Sequence, residues 1–279
     1  MLAYWEGLAG RSFERAVLGG LAADRLGLAF AAGYRSALLH LTGESGLAAV
    51  CITEEGGGHP RAIRTQLKRD GDSVVLSGAK QWATLAGRAK SLLIAASVGE
   101  KEGRNQLRMV RVPIDAEGLT LHEMPPTPFI PEIPHYRLTL EGVTVPADAV
   151  LPGDGYGRWI KPFRTVEDIH VIAAAASYVV SVGRDAGWPA EALAEGFVVL
   201  SALANLVDRP PLDPATHLTL GGVLTAFEGW LDRVGGHWEA LEEPVRTRWT
   251  RDRGVLGVAG RVRAARFARA AEGLGLNAG

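Results

Sequence analysis

Hydrophobic residues near the start of the chain recur every three or four positions. Leu26, Phe30 and Tyr34 share one face of such a repeat within residues 11–41, and Gly43 follows its end. This period is typical of amphipathic helices, and a glycine just past the last periodic position favours helix termination. The pattern therefore predicts helical structure over residues 11–41.

Short apolar runs separated by Gly, Pro and Asp replace this pattern between residues 46 and 151, and they predict strands. The predicted strands are Ala49–Thr53, Thr65–Arg69, Val74–Gly78, Leu92–Val98, Leu107–Val112 and Tyr136–Val143. Asp70-Gly71 lies between two of these runs and predicts a tight hairpin turn. The prolines of segment 125–134 lack a backbone donor, so we expect this segment on the surface, outside the sheet.

The helical period returns after Gly157, where Trp159, Phe163 and Val166 form one stripe. Further helices are predicted over Glu191–Val207, Asp213–Gly235 and Glu242–Leu274. These helices are sufficient for a bundle. The longest uncharged apolar run, Val171–Gly183, is shorter than the roughly 20 residues that span a bilayer. We therefore interpret it as a buried core helix and expect no membrane partner.

Composition narrows the class of protein further. With 279 residues and a formal net charge of -1, the chain has room for sizeable cores and gives no reason to expect nucleic acid as a partner. One cysteine cannot form an internal disulfide, and the first residues lack the pattern of a secretory signal, so we expect a cytoplasmic location. The histidines and the cysteine lack metal-site spacing, so no metal is expected.

Two predicted strand ends carry side chains suited to a planar heterocycle such as a flavin. Segment 49–60 reads AVCITEEGGGHP and ends a strand in a glycine loop, and segment 80–84 reads KQWAT. The backbone and the hydroxyl of Thr53 can serve the polar edge of the ring. Trp82 can supply an aromatic wall, and Thr84 a second hydroxyl.

These motifs resemble those of the acyl-CoA dehydrogenase family, which has Thr-Glu-Pro-x-x-Gly-Ser-Asp in the first place and Lys-x-Trp-Ile-Thr/Ser in the second. A third stretch, Leu138–Leu151, is close to the family's Phe-x-x-Val-x-Val-Pro. The resemblance implies an α+β fold of the acyl-CoA dehydrogenase type. Its expected parts are a short remnant of the N-terminal helical domain (residues 1–45), a middle β-barrel-like domain (46–152) and a C-terminal up-down helical bundle (153–279).

The resemblance also implies an oxidoreductase that uses FAD to dehydrogenate an acyl-CoA-type thioester, assembled as a homodimer or homotetramer. The cofactor-binding residues that it implies are Cys51, Thr53, Gly58, Trp82 and Thr84. The chain departs from the family pattern where Gly58-His-Pro stands for Gly-Ser-Asp, and these changes weaken contacts that need small side chains and free N–H groups.

The same resemblance implies a carboxylate that takes the α-proton of the substrate. Most family members carry it in a late loop, for which this chain has no counterpart, and a minority carry it on the first helix after the β-domain. Aligning that helix with residues 165–174 gives Asp168, or Glu167 after a slip of one residue. Alternatively, Asp168 is a solvated carboxylate near a helix N-terminus. His170 on the same helix is expected to be a core histidine.

Two other functions remain open at this point. One is a non-catalytic relative that keeps the fold without flavin, and the other is an oxygen-using flavin oxidase or monooxygenase on the same scaffold. A further observation concerns segment 246–269, which contains eight arginines interleaved with apolar residues. Such faces are mostly solvated and paired with neighbouring acids, and the alternative is contact with the phosphates of CoA or FAD.

Overall fold

Strands and helices separate into different parts of this protein. The structure, a computed structural model, describes residues 7–43 and 46–276. A β unit runs to Pro126 and resumes over Glu132–Phe163, while a helical unit combines the first two helices, Thr127–Pro131 and the residues from Arg164 onward. The helices predicted at the two ends of the chain therefore share one unit.

The β unit contains one seven-stranded sheet with the order β1-β4-β2-β3-β7-β6, in which β5 pairs with β4. Its strands are β1 (Ala48–Cys51), β2 (Gln66–Asp70), β3 (Ser73–Thr84), β4 (Ser91–Lys101), β5 (Arg104–Pro113), β6 (Leu119–Glu123) and β7 (His135–Pro146). The pairs of β4 with β1 and with β2 are parallel. The six predicted strands are confirmed with shifted ends, and β6 was not predicted.

Glycine and proline residues determine where the strands of the sheet turn, continue or end. Asp70 pairs with Ser73 across the predicted hairpin, and Gly71 takes a φ of 56°. Strand β3 continues past its predicted end because Gly78 carries no side chain, since a Cβ there would lie 2.7 Å from the Cα of Thr65. No residue of the proline segment 125–134 is in a strand, as predicted.

The helical unit begins with α1 and α2, and α2 ends at Gly43 in a left-handed conformation with a φ of 73°, as predicted. The helices are α1 (Ser12–Leu21), α2 (Leu26–Thr42), α3 (Lys161–Asp185), α4 (Ala190–Leu206), α5 (Pro214–Arg233), α6 (Gly235–Glu239), α7 (Glu243–Asp252) and α8 (Gly260–Gly273). The single helix predicted over residues 242–274 is wrong, because a 3-10 segment at Arg253–Gly257 separates α7 from α8. Gly254, Gly257 and Gly260 disfavour a continuous helix there.

Helix α3 forms the core of the helical unit. Within 7–43 and 46–276, the segment Gly155–Asp185, formed by a π-helical turn at Gly155–Ile160 and α3, is the one helical segment long and apolar enough to cross a membrane, yet 89% of its most apolar window is buried inside the protein. A Cβ on Gly33 of α2 would lie 2.5 Å from the Cα of Val171, and one on Gly20 of α1 would overlap the carbonyl of Ala174. The absence of side chains at these glycines lets α1 and α2 pack closely on α3, which is the predicted core helix.

Candidate functional site

Segments 49–60 and 80–84 lie next to each other in the β unit. The backbone N–H of Gln81, in β3, donates a hydrogen bond of 2.7 Å to the carbonyl oxygen of Thr53, which follows β1. Thr53 is partly exposed, as is Gly58 in the loop beyond it. The structure therefore brings the segment around Thr53 next to the segment that carries Trp82.

A buried ion pair joins the same two segments. The Nζ of Lys80 lies 2.6 Å from Oε1 of Glu54, and the Lys80 side chain is fully buried. Glu54 also accepts hydrogen bonds from the hydroxyl of Thr65 at 2.7 Å and from the backbone N–H of Arg64 at 2.7 Å. Burial alone would raise the pKa of Glu54, but the Lys80 charge and these donors outweigh it and hold the pKa below its usual range.

Trp82 lies in a β-bulge, where the register of β3 against β7 shifts between Lys80 and Ala83. Its φ of 58° is in the left-handed region, which non-glycine residues adopt at a cost of about 1–3 kcal/mol. The side chain is 49% exposed, and its ring contacts His135 edge-on at 5.7 Å between centroids. Bulges of this kind turn a side chain away from the sheet. A large aromatic surface is thereby presented at the strand end.

The remaining residues predicted to bind the cofactor differ in their surroundings. The hydroxyl of Thr84 lies 3.2 Å from Nδ1 of His135, and burial lowers the pKa of that imidazole, which favours its neutral form. The side chain of Cys51 is fully buried in the sheet, where burial raises the pKa of its thiol to about 12. Cys51 is therefore a protonated thiol packed in the core, with low reactivity.

An open groove lies beside the glycine loop within the β unit. Its volume is about 710 Å³, and its walls include Glu54, Glu55, Arg64, Gln81 and Arg137. The His59 imidazole does not extend freely, because its Nδ1 accepts a hydrogen bond of 3.2 Å from the backbone N–H of Arg61. Trp82, Thr53 and Thr84 are not among the residues that line this groove. The exposed indole of Trp82 and the partly exposed Thr53 are of the kinds that contact a flavin ring.

Asp168 is buried in the helical unit, and it is not a solvated helix-end carboxylate. Its Oδ1 accepts hydrogen bonds from Arg263, with distances of 2.9 Å to Nε and 2.8 Å to the second guanidinium nitrogen. Its Oδ2 pairs with Arg266, whose guanidinium also donates to the Thr165 hydroxyl at 3.2 Å. Both carboxylate oxygens are thus engaged by arginines.

Glu167 has a different environment from its neighbour. The side chain is partly exposed, and it makes no hydrogen bond or ion pair within the part of the chain that the structure describes. Burial around the carboxyl, followed by the adjacent charge of Asp168, raises the pKa of Glu167 to about 7, against opposing contributions from Arg164, Arg263 and Arg266. Proton exchange near neutral pH is therefore available at this carboxyl.

His170 is a core histidine, as predicted. It is fully buried, and its Nδ1 lies 2.7 Å from the carbonyl oxygen of Val166, so that nitrogen carries the proton. Its Nε2 consequently accepts from the hydroxyl of Ser12 at 3.0 Å, and that hydroxyl oxygen lies 3.1 Å from Nδ1 of His40. Burial lowers the pKa of His170 to about 4, so the imidazole is neutral at pH 7. Sequence reasoning missed this network because its members lie on three separate helices.

Comparisons with known proteins agree on one family. Residues 49–143 match the family model described as "Acyl-CoA dehydrogenase, middle domain". A probable acyl-CoA dehydrogenase of Mycobacterium tuberculosis is 30% identical over 119 residues, which are 42% of this chain and 31% of the relative. The match thus spans about a third of the length of that relative.

Solved structures extend the similarity to the fold. Butyryl-CoA dehydrogenase from Megasphaera elsdenii superimposes with a TM-score of 0.65 at 19% identity, covering 88% of this chain and 78% of that one. The prolyl acyl carrier protein oxidase AnaB gives 0.70 at 18% identity, with 96% and 85% covered. At such identities the likeness concerns the fold alone.

Proposed function

We propose that this chain is a member of the acyl-CoA dehydrogenase family and that it uses FAD to introduce an α,β double bond into an acyl thioester, a proposal supported by the matched middle domain and the similar relatives and folds. The observation that carries the proposal is the exposed Trp82, held in a strained bulge beside Thr53. Strained residues persist where the surrounding structure fixes them, and they concentrate at functional sites. Contact with a ligand would account for a half-exposed indole that is held in a strained backbone conformation.

Each residue would have a distinct role toward the flavin. Trp82 would cover one face of the ring, and the Thr53 hydroxyl would donate to its polar edge. The Thr84 hydroxyl would be oriented by His135. FAD, when bound, would supply the two-electron acceptor for the hydride that leaves the β-carbon of the substrate.

The α-proton of the substrate must pass to a base on the protein. We assign this role to Glu167, because its carboxyl is unpaired within the described residues and its pKa of about 7 suits proton transfer near neutral pH. Asp168, the first choice from sequence, has both oxygens engaged by Arg263 and Arg266. In this proposal Asp168 acts through its charge, which raises the proton affinity of Glu167.

The substrate class and the assembly are part of the same proposal. An acyl thioester of coenzyme A agrees with the family, and a thioester on a carrier protein agrees with the name of the similar oxidase AnaB. We expect a homodimer or homotetramer in the cytoplasm, since Phe197 and Val198 on α4 are 57% and 67% exposed. A clean monomer at micromolar concentration in sedimentation would oppose the expected assembly.

Anaerobic mixing of the FAD-loaded protein with a series of acyl thioesters tests the reaction. We expect bleaching of the flavin spectrum by an accepted thioester and appearance of the enoyl product. Glu167→Gln should abolish the bleaching while flavin stays bound, whereas Glu228→Gln, an exposed change on α5, should not affect it. Absence of bleaching with every thioester would favour a non-catalytic relative. Peroxide formation in air would instead indicate an oxidase.

A further inference from the structure

His135, at the start of β7, contacts two side chains that the proposed function assigns to the flavin. Its imidazole lies edge-on to the indole of Trp82, with 5.7 Å between ring centroids, and its Nδ1 lies 3.2 Å from the hydroxyl oxygen of Thr84. Whichever of the two groups donates, this hydrogen bond fixes the direction of the hydroxyl, and the ring contact limits the orientation of the indole. One side chain therefore connects both groups.

The backbone of His135 is fixed by its neighbours on two strands. His135 pairs with Thr84 in the register of β3 and β7, and its carbonyl oxygen accepts a hydrogen bond of 2.8 Å from the backbone N–H of Met124. The preceding carbonyl, that of Pro134, accepts one of 2.9 Å from the N–H of Leu85. The imidazole is therefore attached to a backbone position that has little freedom to move.

The segment opposite His135 has a strained backbone. Trp82 and Leu85 have φ angles of 58° and 59°, in the left-handed region, and they flank Ala83 and Thr84. Residues other than glycine keep such angles where the surrounding structure fixes them. Backbone angles alone do not fix the side-chain torsions of a half-exposed indole, so a packed neighbour is needed to hold the ring. His135 is such a neighbour.

We propose that His135 is a positioning residue of the flavin site, which holds the indole of Trp82 through its ring and the hydroxyl of Thr84 through its Nδ1. The inference rests on the proposed function for the identity of the ligand, whereas the positioning itself is a property of the free protein. Groups that are held in place before a ligand arrives lose less entropy when it binds. His135 thus strengthens FAD binding by acting through Trp82 and Thr84.

Fluorine NMR of the full chain labelled with 5-fluorotryptophan tests the positioning of Trp82 without any flavin. Trp82→Phe assigns the Trp82 signal by its loss. His135→Asn removes the ring, and we expect it to shift or broaden that signal, whereas His135→Phe keeps a ring and should leave the signal sharp. His122→Asn, the same change at an exposed histidine of β6, is the control. An unchanged Trp82 signal in His135→Asn would overturn the proposal, whether or not the protein binds flavin.

Titration with FAD tests whether His135 acts through the two side chains. His135→Phe loses the hydrogen bond to Thr84, and His135→Asn, whose amide can occupy the place of Nδ1, loses the contact with Trp82. Each variant should weaken FAD binding about three- to tenfold, the scale of one hydrogen bond or one aromatic contact. We expect no further loss from His135→Phe in a Thr84→Val background, and none from His135→Asn in a Trp82→Ala background.

The results separate this inference from the proposed function. Full FAD affinity in both His135 variants, or equal losses with and without Thr84→Val and Trp82→Ala, would overturn the positioning role while the proposed function stands. A wild type that binds no FAD would contradict the proposed function, and the fluorine signal of Trp82 then decides the role of His135. Urea denaturation of each variant checks that the chain is folded, and the cycle of His135→Phe with Thr84→Val remains decisive if His135→Asn does not fold.

Discussion

Glu54 and Lys80 form a buried ion pair, with 2.6 Å between Oε1 and Nζ, that connects the end of β1 to β3. Thr53 immediately precedes one partner, and Trp82 follows the other by two residues. The two segments proposed to hold the flavin are therefore joined by charge as well as by the backbone hydrogen bond from Gln81 to Thr53.

Removing one partner of this pair should destabilise the protein strongly. Lys80→Met leaves the Glu54 carboxylate buried without its counter-charge, and we expect a loss of about 3–5 kcal/mol in the free energy of unfolding. Urea denaturation measures this loss. Adding Glu54→Gln to Lys80→Met should recover part of it, because no unpaired charge then remains. Lys68→Met on exposed β2 is the control, and an equal effect in both single variants would refute the importance of the pair.

Trp82→Ala should weaken flavin binding by about 1–3 kcal/mol, the scale of an aromatic contact with its buried area. Fluorescence titration with FAD measures the change. Trp82→Phe should lose less, because it keeps a ring at the same place. Unchanged affinity in the alanine variant would show that the indole is not the flavin wall.

The strand ends could be predicted because their motifs are local in sequence, whereas the contacts between them could not. The pairing of Lys80 with Glu54 crosses 26 positions, and no pattern in the chain indicates it. Strand β6 was missed because Leu119-Thr-Leu-His-Glu123 has only two apolar residues, and the proline segment 125–134 separates it from its partner β7. The environment of Asp168 depends on arginines about 100 residues away, so sequence reasoning could name the carboxylate but not its neighbours.

His170 should make the protein less stable as the pH falls from about 6.5 to about 4. Its folded pKa is about 4 and its ordinary value is 6.5, so the unfolded chain binds more protons in this window. Across this range the loss in the free energy of unfolding is about 3 kcal/mol. Burial is the main cause of the lowered pKa; the neighbouring His40 lowers it further, whereas the hydrogen bond with Val166 and the charge of Asp208 raise it. His170→Gln should flatten the dependence of unfolding free energy on pH in this range, as measured by urea denaturation. If the unfolding free energy of His170→Gln depends on pH as that of the wild type does, His170 is not the group responsible.

Glu167 should control the pH dependence of flavin reduction. Its pKa is raised to about 7, and only the ionised carboxylate can accept the α-proton, so the rate should rise with pH through about 7. Rapid mixing across this range measures the profile. Asp168→Asn removes a neighbouring negative charge and should move the rise to lower pH without abolishing it. Loss of reduction in Asp168→Asn together with full activity in Glu167→Gln would return the role to Asp168.

The flavin content of the purified chain tests the central claim most directly. The protein is saturated with FAD, freed of unbound cofactor by gel filtration, and then denatured so that the released flavin can be quantified against the protein. Our account predicts close to one FAD per chain and a clear loss in Trp82→Ala. A wild-type protein that retains no flavin after saturation would contradict it and favour a non-catalytic relative that keeps the fold without the cofactor.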